Sequence, residues 1–291
     1  MKILITGKNS YIGNQIEDWT REDPNYDVTK ISLKDNQWKA MDFSIYDTVI
    51  HLAGIVHKKE GDVPREKYFE VNRNLTEAVA KKAKAQGVSQ FIFFSTMAVY
   101  GESGDLERRV VITSETEEAP NNAYGLSKLE GEQILRAMEC SKFKVAILRP
   151  PMIYGKGCPG NYGRLRKLAL KWPVYPNLNN QRSMLYIDNL LELIRGILDQ
   201  KLQGTFYPQD EEYVDTLDMI KEIRSTHNKK TRILNFMKPM LLMIGKNSNT
   251  VNKAFGNLCY HKCLSVVKEV EYQKVALREG IKHIENQLEA D

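Results

Sequence analysis

The order of the apolar runs constrains this chain most. Short β-branched or aliphatic stretches fall near residues 2–6, 28–33, 48–52, 90–95 and 144–149, with helix-like stretches between them. Strands and helices that alternate in this way build a parallel sheet covered on both faces, because parallel neighbours need a crossover. The clearest helical pattern spans 64–86, where Tyr68, Val71, Leu75, Val79 and Ala83 recur at helical spacing and Gly87 is the stop. A second helix is expected from Ala123 to about Cys140, with Asn121 and Asn122 before it as caps. The interval 33–48 is too short for a full helix plus a strand, so one crossover there must be abbreviated. The expected fold class is α/β, a doubly wound parallel sheet, and 291 residues suffice for one large domain or two intimate ones.

Four stretches place chemistry on that frame. "TGKNSYIG" (6–13) joins the first strand to the first helix. Gly7 permits a tight turn, and Gly13 lets the helix pack close to the sheet. The middle position, where backbone approaches a pyrophosphate at the helix N-terminus, is Ser10. Serine is small, and its hydroxyl can itself donate to phosphate. "VIHLAG" (49–54) ends a strand in small residues that let a ribose and diphosphate come near. "FIFFSTMAVYG" (91–101) ends a strand in Ser95 and Thr96, at the sheet edge where open α/β folds do their chemistry. "YGLSK" (124–128) puts Tyr124 and Lys128 at i and i+4 on one helix face. A cation beside a phenol lowers the phenol's pKa and suits it to general acid–base work.

This ordered set resembles the extended short-chain dehydrogenase/reductase family, in its nucleotide-sugar epimerase/dehydratase branch. The resemblance covers about residues 1–207 and the rest more loosely, with further matches in "MDF" (41–43), "VNRNLT" (71–76), "LRPPMIYGKG" (148–157) and "RSMLYIDNL" (182–190). It implies a Rossmann-type sheet domain over 1–155, with 183–207 returning to it. It also implies a smaller, mostly helical substrate-binding subdomain over 156–182 and 208–291. By the same resemblance, Tyr124 is the acid–base, Lys128 its partner and a contact of the nicotinamide ribose, and Thr96 the hydroxyl that orients substrate. The implied dinucleotide contacts are Gly7, Ser10, Tyr11, Ile12, Gly13, Asp42 (toward adenine), Phe43, Leu52, Ala53 and Gly54, besides Tyr124 and Lys128. Asn161, in "PGNY", and Arg182 are the implied contacts of a nucleoside-diphosphate sugar, expected to be UDP-linked. Arginine suits a diphosphate because its planar fork pairs two oxygens at once. A homodimer through the helices at 64–86 and 123–140 is also implied.

The reaction follows from what is missing. The family's dehydratases carry Asp-Glu after the catalytic Thr; here Met97 and Ala98 stand there and can serve as neither acid nor base. That leaves C4 epimerisation of a UDP-sugar or, nearly matched with it, reduction of a UDP- or dTDP-4-keto-hexose. Leu148-Arg149-Pro150-Pro151 departs from the Arg-x-Phe-Asn pattern of many epimerases and favours the reductase. A non-catalytic dinucleotide- or RNA-binding protein is the remote alternative. NAD is the expected cofactor. However, the second strand ends at Ser32 with Lys34 just beyond, so no carboxylate repels a 2′-phosphate and NADP is the alternative.

Composition bears on the setting. The net charge of +5 comes from Lys and Arg spread along the chain, and they are not interleaved with aromatics as a nucleic-acid face requires. Four cysteines without a framework spacing point to reduced, cytoplasmic thiols. "MKILITG" is too short an apolar start for a signal peptide, and no run approaches the ~20 residues of a membrane span. "MLLMIG" (240–245) reads as a short packed helix. Cys259, His261 and Cys263 lack a second ligand pair, so no metal is expected.

Overall fold

Six parallel strands form the centre of the molecule. In a computed structural model that describes residues 1–56, 63–177, 179–235, 243, 252 and 255–289, they are β1 (Lys2–Thr6), β2 (Asp27–Ile31), β3 (Thr48–His51), β4 (Gln90–Phe94), β6 (Lys144–Leu148) and β10 (Gly204–Phe206). Their order is β10-β6-β4-β3-β1-β2. The five expected strands are all present. β10 is a sixth that its three residues kept from standing out. The short crossover between β2 and β3 holds one helical turn, Gln37–Lys39, whose buried Trp38 plugs that end of the sheet.

Helices cover both faces. Ile3, Ile5, Ile50 and Ile92 pack toward α1 (Tyr11–Thr20) and α6 (Ile187–Asp199). Leu4, Val49, Phe91 and Phe93 face the other way, toward α3 (Leu75–Ala85) and α4 (Ala123–Met138). This inward-outward alternation with both sets buried is what makes each strand a continuous apolar run. Asn122 caps α4, its Oδ1 accepting from the Gly125 N–H at 2.9 Å.

The helix expected over 64–86 is interrupted. It runs as α2 (Arg65–Phe69), a π-helical turn over Glu70–Asn74, then α3. The wider turn carries Asn72, which is fully buried.

Beyond β6 lie α5 (Asn161–Lys171), α7 (Thr216–Thr226) and α8 (Leu277–Glu289). Three two-stranded parallel ribbons tie these helices to the sheet domain. β7 (Met152–Tyr154) pairs with β9 (Met184–Tyr186), β8 (Val174–Tyr175) with β11 (Arg232–Ile233), and β5 (Val110–Ile112) with β12 (Leu258–Tyr260). Glu285 of α8 is fully buried and accepts from Tyr162 and Arg166, each at 2.7 Å, and contacts His227 at 2.8 Å. Apart from Met243, the stretch 240–245 lies outside the described residues. No helix among the described residues is long and apolar enough to cross a membrane.

Candidate active site

The sheet order reverses between β1 and β3, because the chain leaves β1 for β2 on one side and returns to β3 on the other. Such a reversal opens a crevice at the strand C-termini. Gly7 lines it with φ +90°, and a Cβ there would lie 3.1 Å from the Ala53 nitrogen. Only glycine allows both that backbone angle and that approach. Ser10 is the N-cap of α1, and its Oγ accepts from the Gly13 N–H at 3.2 Å. So the residue that replaces the middle glycine holds the helix start in place, and it keeps its own O–H to donate. Tyr11 and Ile12 open the helix. The Tyr11 hydroxyl is buried and has no hydrogen-bond partner among the described residues. Ile12 and Leu52 pack against the core beneath the turn.

Three strand ends then bring the candidate chemical groups together. Thr96 follows β4; its Oγ1 accepts from the Ala98 N–H at 3.2 Å and shares a side-chain hydrogen bond with Tyr124. Ser95 faces the other way, fully committed to the buried Glu132. Lys128 is buried, donates from Nζ to the Phe94 carbonyl at 2.8 Å and lies 4.7 Å over the Phe93 ring. A Cβ at Gly54 would sit 3.2 Å from that Nζ and 3.0 Å from Asn72 Oδ1, so the glycine keeps the floor of the crevice open beside the ammonium. Burial pushes the Tyr124 phenol above its usual value, the Thr96 hydrogen bond pulls it back, and nearby Tyr68 adds to the rise. Lys128 is pushed down to about 8 by burial, against the pull of Glu132. The Lys128 ammonium thus lies one helical turn from Tyr124 and is held at the end of β4. Burial decides the direction for Tyr124.

A buried polar chain joins these parts, and its members were not singled out from the sequence. The Ala53 N–H meets Thr6 Oγ1 at 3.4 Å, Thr6 meets His51 Nδ1 at 2.8 Å, and His51 Nε2 meets Thr76 Oγ1 at 3.0 Å. Because Thr76 donates onward to the Asn72 carbonyl, His51 carries its proton on Nε2 and accepts at Nδ1. Burial, aided by the Lys128 charge, holds the His51 pKa near 3, so it stays neutral. Asn72 closes the chain: Oδ1 accepts from the Ile55 N–H at 2.8 Å, and Nδ2 donates to the Ile55 carbonyl and to Ser127 Oγ on α4. The signals were polar residues at core-facing positions: a His inside an apolar strand and an Asn on a helix's inner face.

The remaining candidates lie farther out. Asp42 is exposed, its Oδ1 accepting from the Ser44 N–H at 2.8 Å. Phe43 sits apart from the crevice surface: its ring is fully buried, and its N–H is already donated to Gln86 Oε1 at 2.6 Å. Its ring lies in the core cluster with Trp38 and Val79. Asn161 is exposed at the first position of α5. Arg182 is half-buried at the junction of two ribbons, donates to the Gly256 carbonyl at 2.8 Å, and is lowered to about 10 by burial. No carboxylate among the described residues pairs with it. Among those residues, too, no group of three or more His, Cys, Asp or Glu could hold a metal ion.

Gly7→Val should remove dinucleotide binding, since it blocks the turn, while Ser10→Gly should retain it at some cost in helix capping. Calorimetric titration of both variants with NAD is the check; unchanged binding by Gly7→Val would place the dinucleotide elsewhere.

Comparison with known proteins agrees with this geometry. Residues 3–207 match the NAD dependent epimerase/dehydratase family. A UDP-glucose 4-epimerase of Vibrio cholerae is 31% identical over 254 residues, covering 79% of this chain and 76% of its own. Among solved structures, a UDP-glucuronic acid 4-epimerase from Bacillus cereus in complex with NAD superposes with a TM-score of 0.75 at 19% identity, covering 100% of this chain and 98% of its own. A dTDP-4-dehydrorhamnose reductase from Bacillus anthracis in complex with NADP does so with a TM-score of 0.71 at 20% identity, covering 98% and 99%. With a crevice at the strand reversal, Thr96, Tyr124 and Lys128 gathered beside the end of β4, and a family match over residues 3–207, the chain belongs to the NAD-dependent epimerase/dehydratase family.

Proposed function

We propose that this protein is a UDP-sugar 4-epimerase that keeps NAD bound between turnovers. The observation that carries the reading is the hydrogen-bonded Thr96–Tyr124 pair at the end of β4, followed by Met97 and Ala98 where a dehydratase needs two acids. The 31% identical relative with this reaction in its name supports it.

The crevice suits a dinucleotide. The Gly7 turn, the capped start of α1 and the unpartnered Tyr11 hydroxyl offer space, N–H groups and a free polar atom where a diphosphate would lie. Bound there, the nicotinamide supplies the acceptor and donor of hydride, and when oxidised a positive charge. Everything else falls to the chain. Thr96 fixes the sugar's C4 oxygen by hydrogen bonding. Tyr124 takes the proton from that oxygen and later returns it. In the free site its phenol is protonated, because burial favours the neutral form; added positive charge beside it favours the anion. Lys128 keeps an ammonium at neutral pH, below its value of about 8, next to the Gly54 turn where the nicotinamide ribose belongs. Arg182, whose charge no carboxylate among the described residues offsets, and Asn161 at the start of α5 are assigned to the sugar nucleotide's diphosphate.

The test needs no reductant. Purified protein should interconvert UDP-glucose and UDP-galactose, or an acetamido or uronic counterpart pair, and should release NAD(H) on denaturation. Protein that leaves every such pair unchanged, yet oxidises NADH or NADPH when given a UDP-4-keto-hexose, would establish the reductase.

A further inference from the structure

The acids of this chain are distributed far less evenly than its bases. Residues 140–187 carry nine Lys and Arg and no Asp or Glu, and residues 223–268 carry nine more, again with no acid. The rest of the chain holds 24 bases against all 37 acids. The fold brings the two acid-free segments side by side, because β8 of the first pairs with β11 of the second. The Arg232 N–H donates to the Pro173 carbonyl at 2.8 Å, directly after the end of α5.

At that junction apolar side chains stand in solvent. Trp172 is 52% exposed, Ile233 42% and Leu168 37%. Trp172 caps the end of α5, its N–H donating to the Leu168 carbonyl at 3.0 Å, and Lys167 and Lys171 stand at i and i+4 beside them, all four exposed. Lys171 Nζ lies 5.8 Å from the Trp172 ring. Lys230 and Arg232, both exposed, flank the same spot from the second segment. The acids packed beneath are already engaged: Glu285 by Arg166, Tyr162 and His227, and Glu222 by Arg278.

We propose that the C-terminal end of α5 together with β11 is a docking surface for an anionic lipid bilayer. Lysines around an exposed tryptophan and two aliphatic side chains match what an interface of acyl chains and anionic headgroups offers: the rings and methyls enter the headgroup boundary while the long basic side chains reach phosphates. Nucleic acid would use the charge and leave Leu168 and Ile233 without a role. The surface lies at the far end of α5 from Asn161, about 15 Å along the helix axis, so it is separate from the candidate sugar-nucleotide contacts.

Co-sedimentation with vesicles of phosphatidylglycerol and phosphatidylcholine in equal parts tests this on the full chain. The protein should pellet with these vesicles, remain in solution with phosphatidylcholine alone, and be released by high salt. Emission from Trp172 should shift to the blue on binding. Lys167→Glu/Lys171→Glu and, separately, Leu168→Ser/Trp172→Ala should each weaken partitioning at least about tenfold, with unchanged thermal melting and unchanged turnover of soluble substrate. The proposal is overturned if the protein stays in the supernatant with the anionic vesicles, or if both variants pellet as wild type does. Equally, it falls if only a single-stranded RNA of mixed sequence is bound with steep salt dependence.

Discussion

Tyr124→Phe is expected to fold normally, retain dinucleotide binding and lose at least ~10²-fold in turnover, the scale of positioned general acid–base catalysis. The substitution removes one oxygen. The ring keeps its edge-on contact with Tyr68, 6.4 Å between centroids, and Thr96 keeps its bond from the Ala98 N–H. What disappears is the hydroxyl hydrogen-bonded to Thr96, the group proposed to take the proton from a sugar hydroxyl there. Ser95→Ala serves as the contrast: Ser95 is turned away toward Glu132, so turnover should hold within a few-fold even if stability falls. Steady-state rates with a UDP-sugar pair and melting curves decide the matter; near-wild-type turnover in Tyr124→Phe would remove the phenol from the chemistry.

The largest stability effect is expected at Glu132. This carboxylate is fully buried, held by the Arg149 guanidinium at 2.5 Å and by Arg136 at 2.8 Å, with Ser95 as a further donor. Arg149 is fully buried too, donates to Tyr100 at 2.7 Å and reaches Glu118. Removing one member of a buried ion pair leaves the other's desolvation uncompensated, which costs about 3–5 kcal/mol. Glu132→Leu should lose about that much in urea unfolding. Glu132→Leu combined with Arg149→Met should lose far less than the sum of the two single changes, since no buried charge is then stranded. Additive losses would show that the pair acts as two independent polar contacts.

Much of the architecture was legible because parallel strands buried on both faces are continuous apolar runs. β1, β3 and β4 are such runs, and the strand ends with their small and hydroxyl residues followed from them. Ser10 was legible as a small residue in a phosphate turn, yet its capping role depends on its backbone angles and on Gly13 being within reach. Asn72 falls on the inward face of the 64–86 pattern, four residues after Tyr68 and three before Leu75, but nothing in that spacing shows that its amide would clasp the Ile55 backbone. Glu132 and Arg149 are separated by 17 positions and met only through the pairing of α4 with the end of β6. The ribbons were invisible for the same reason, joining Val174 to Arg232 and Val110 to Leu258. The burial of the Phe43 ring was legible only in part, because an aromatic beside the polar Asp42 reads equally as core or as a lining residue.

The central claim is that hydride leaves C4 of a UDP-sugar and returns to the same carbon on its opposite face without leaving the protein. UDP-glucose carrying deuterium at C4 tests it, with the product followed by proton NMR and mass spectrometry in the absence of added cofactor. The account predicts that the 4-epimer forms with its label kept at C4 and none in solvent. Loss of the label to water, or its recovery in NADH free in solution, would contradict it.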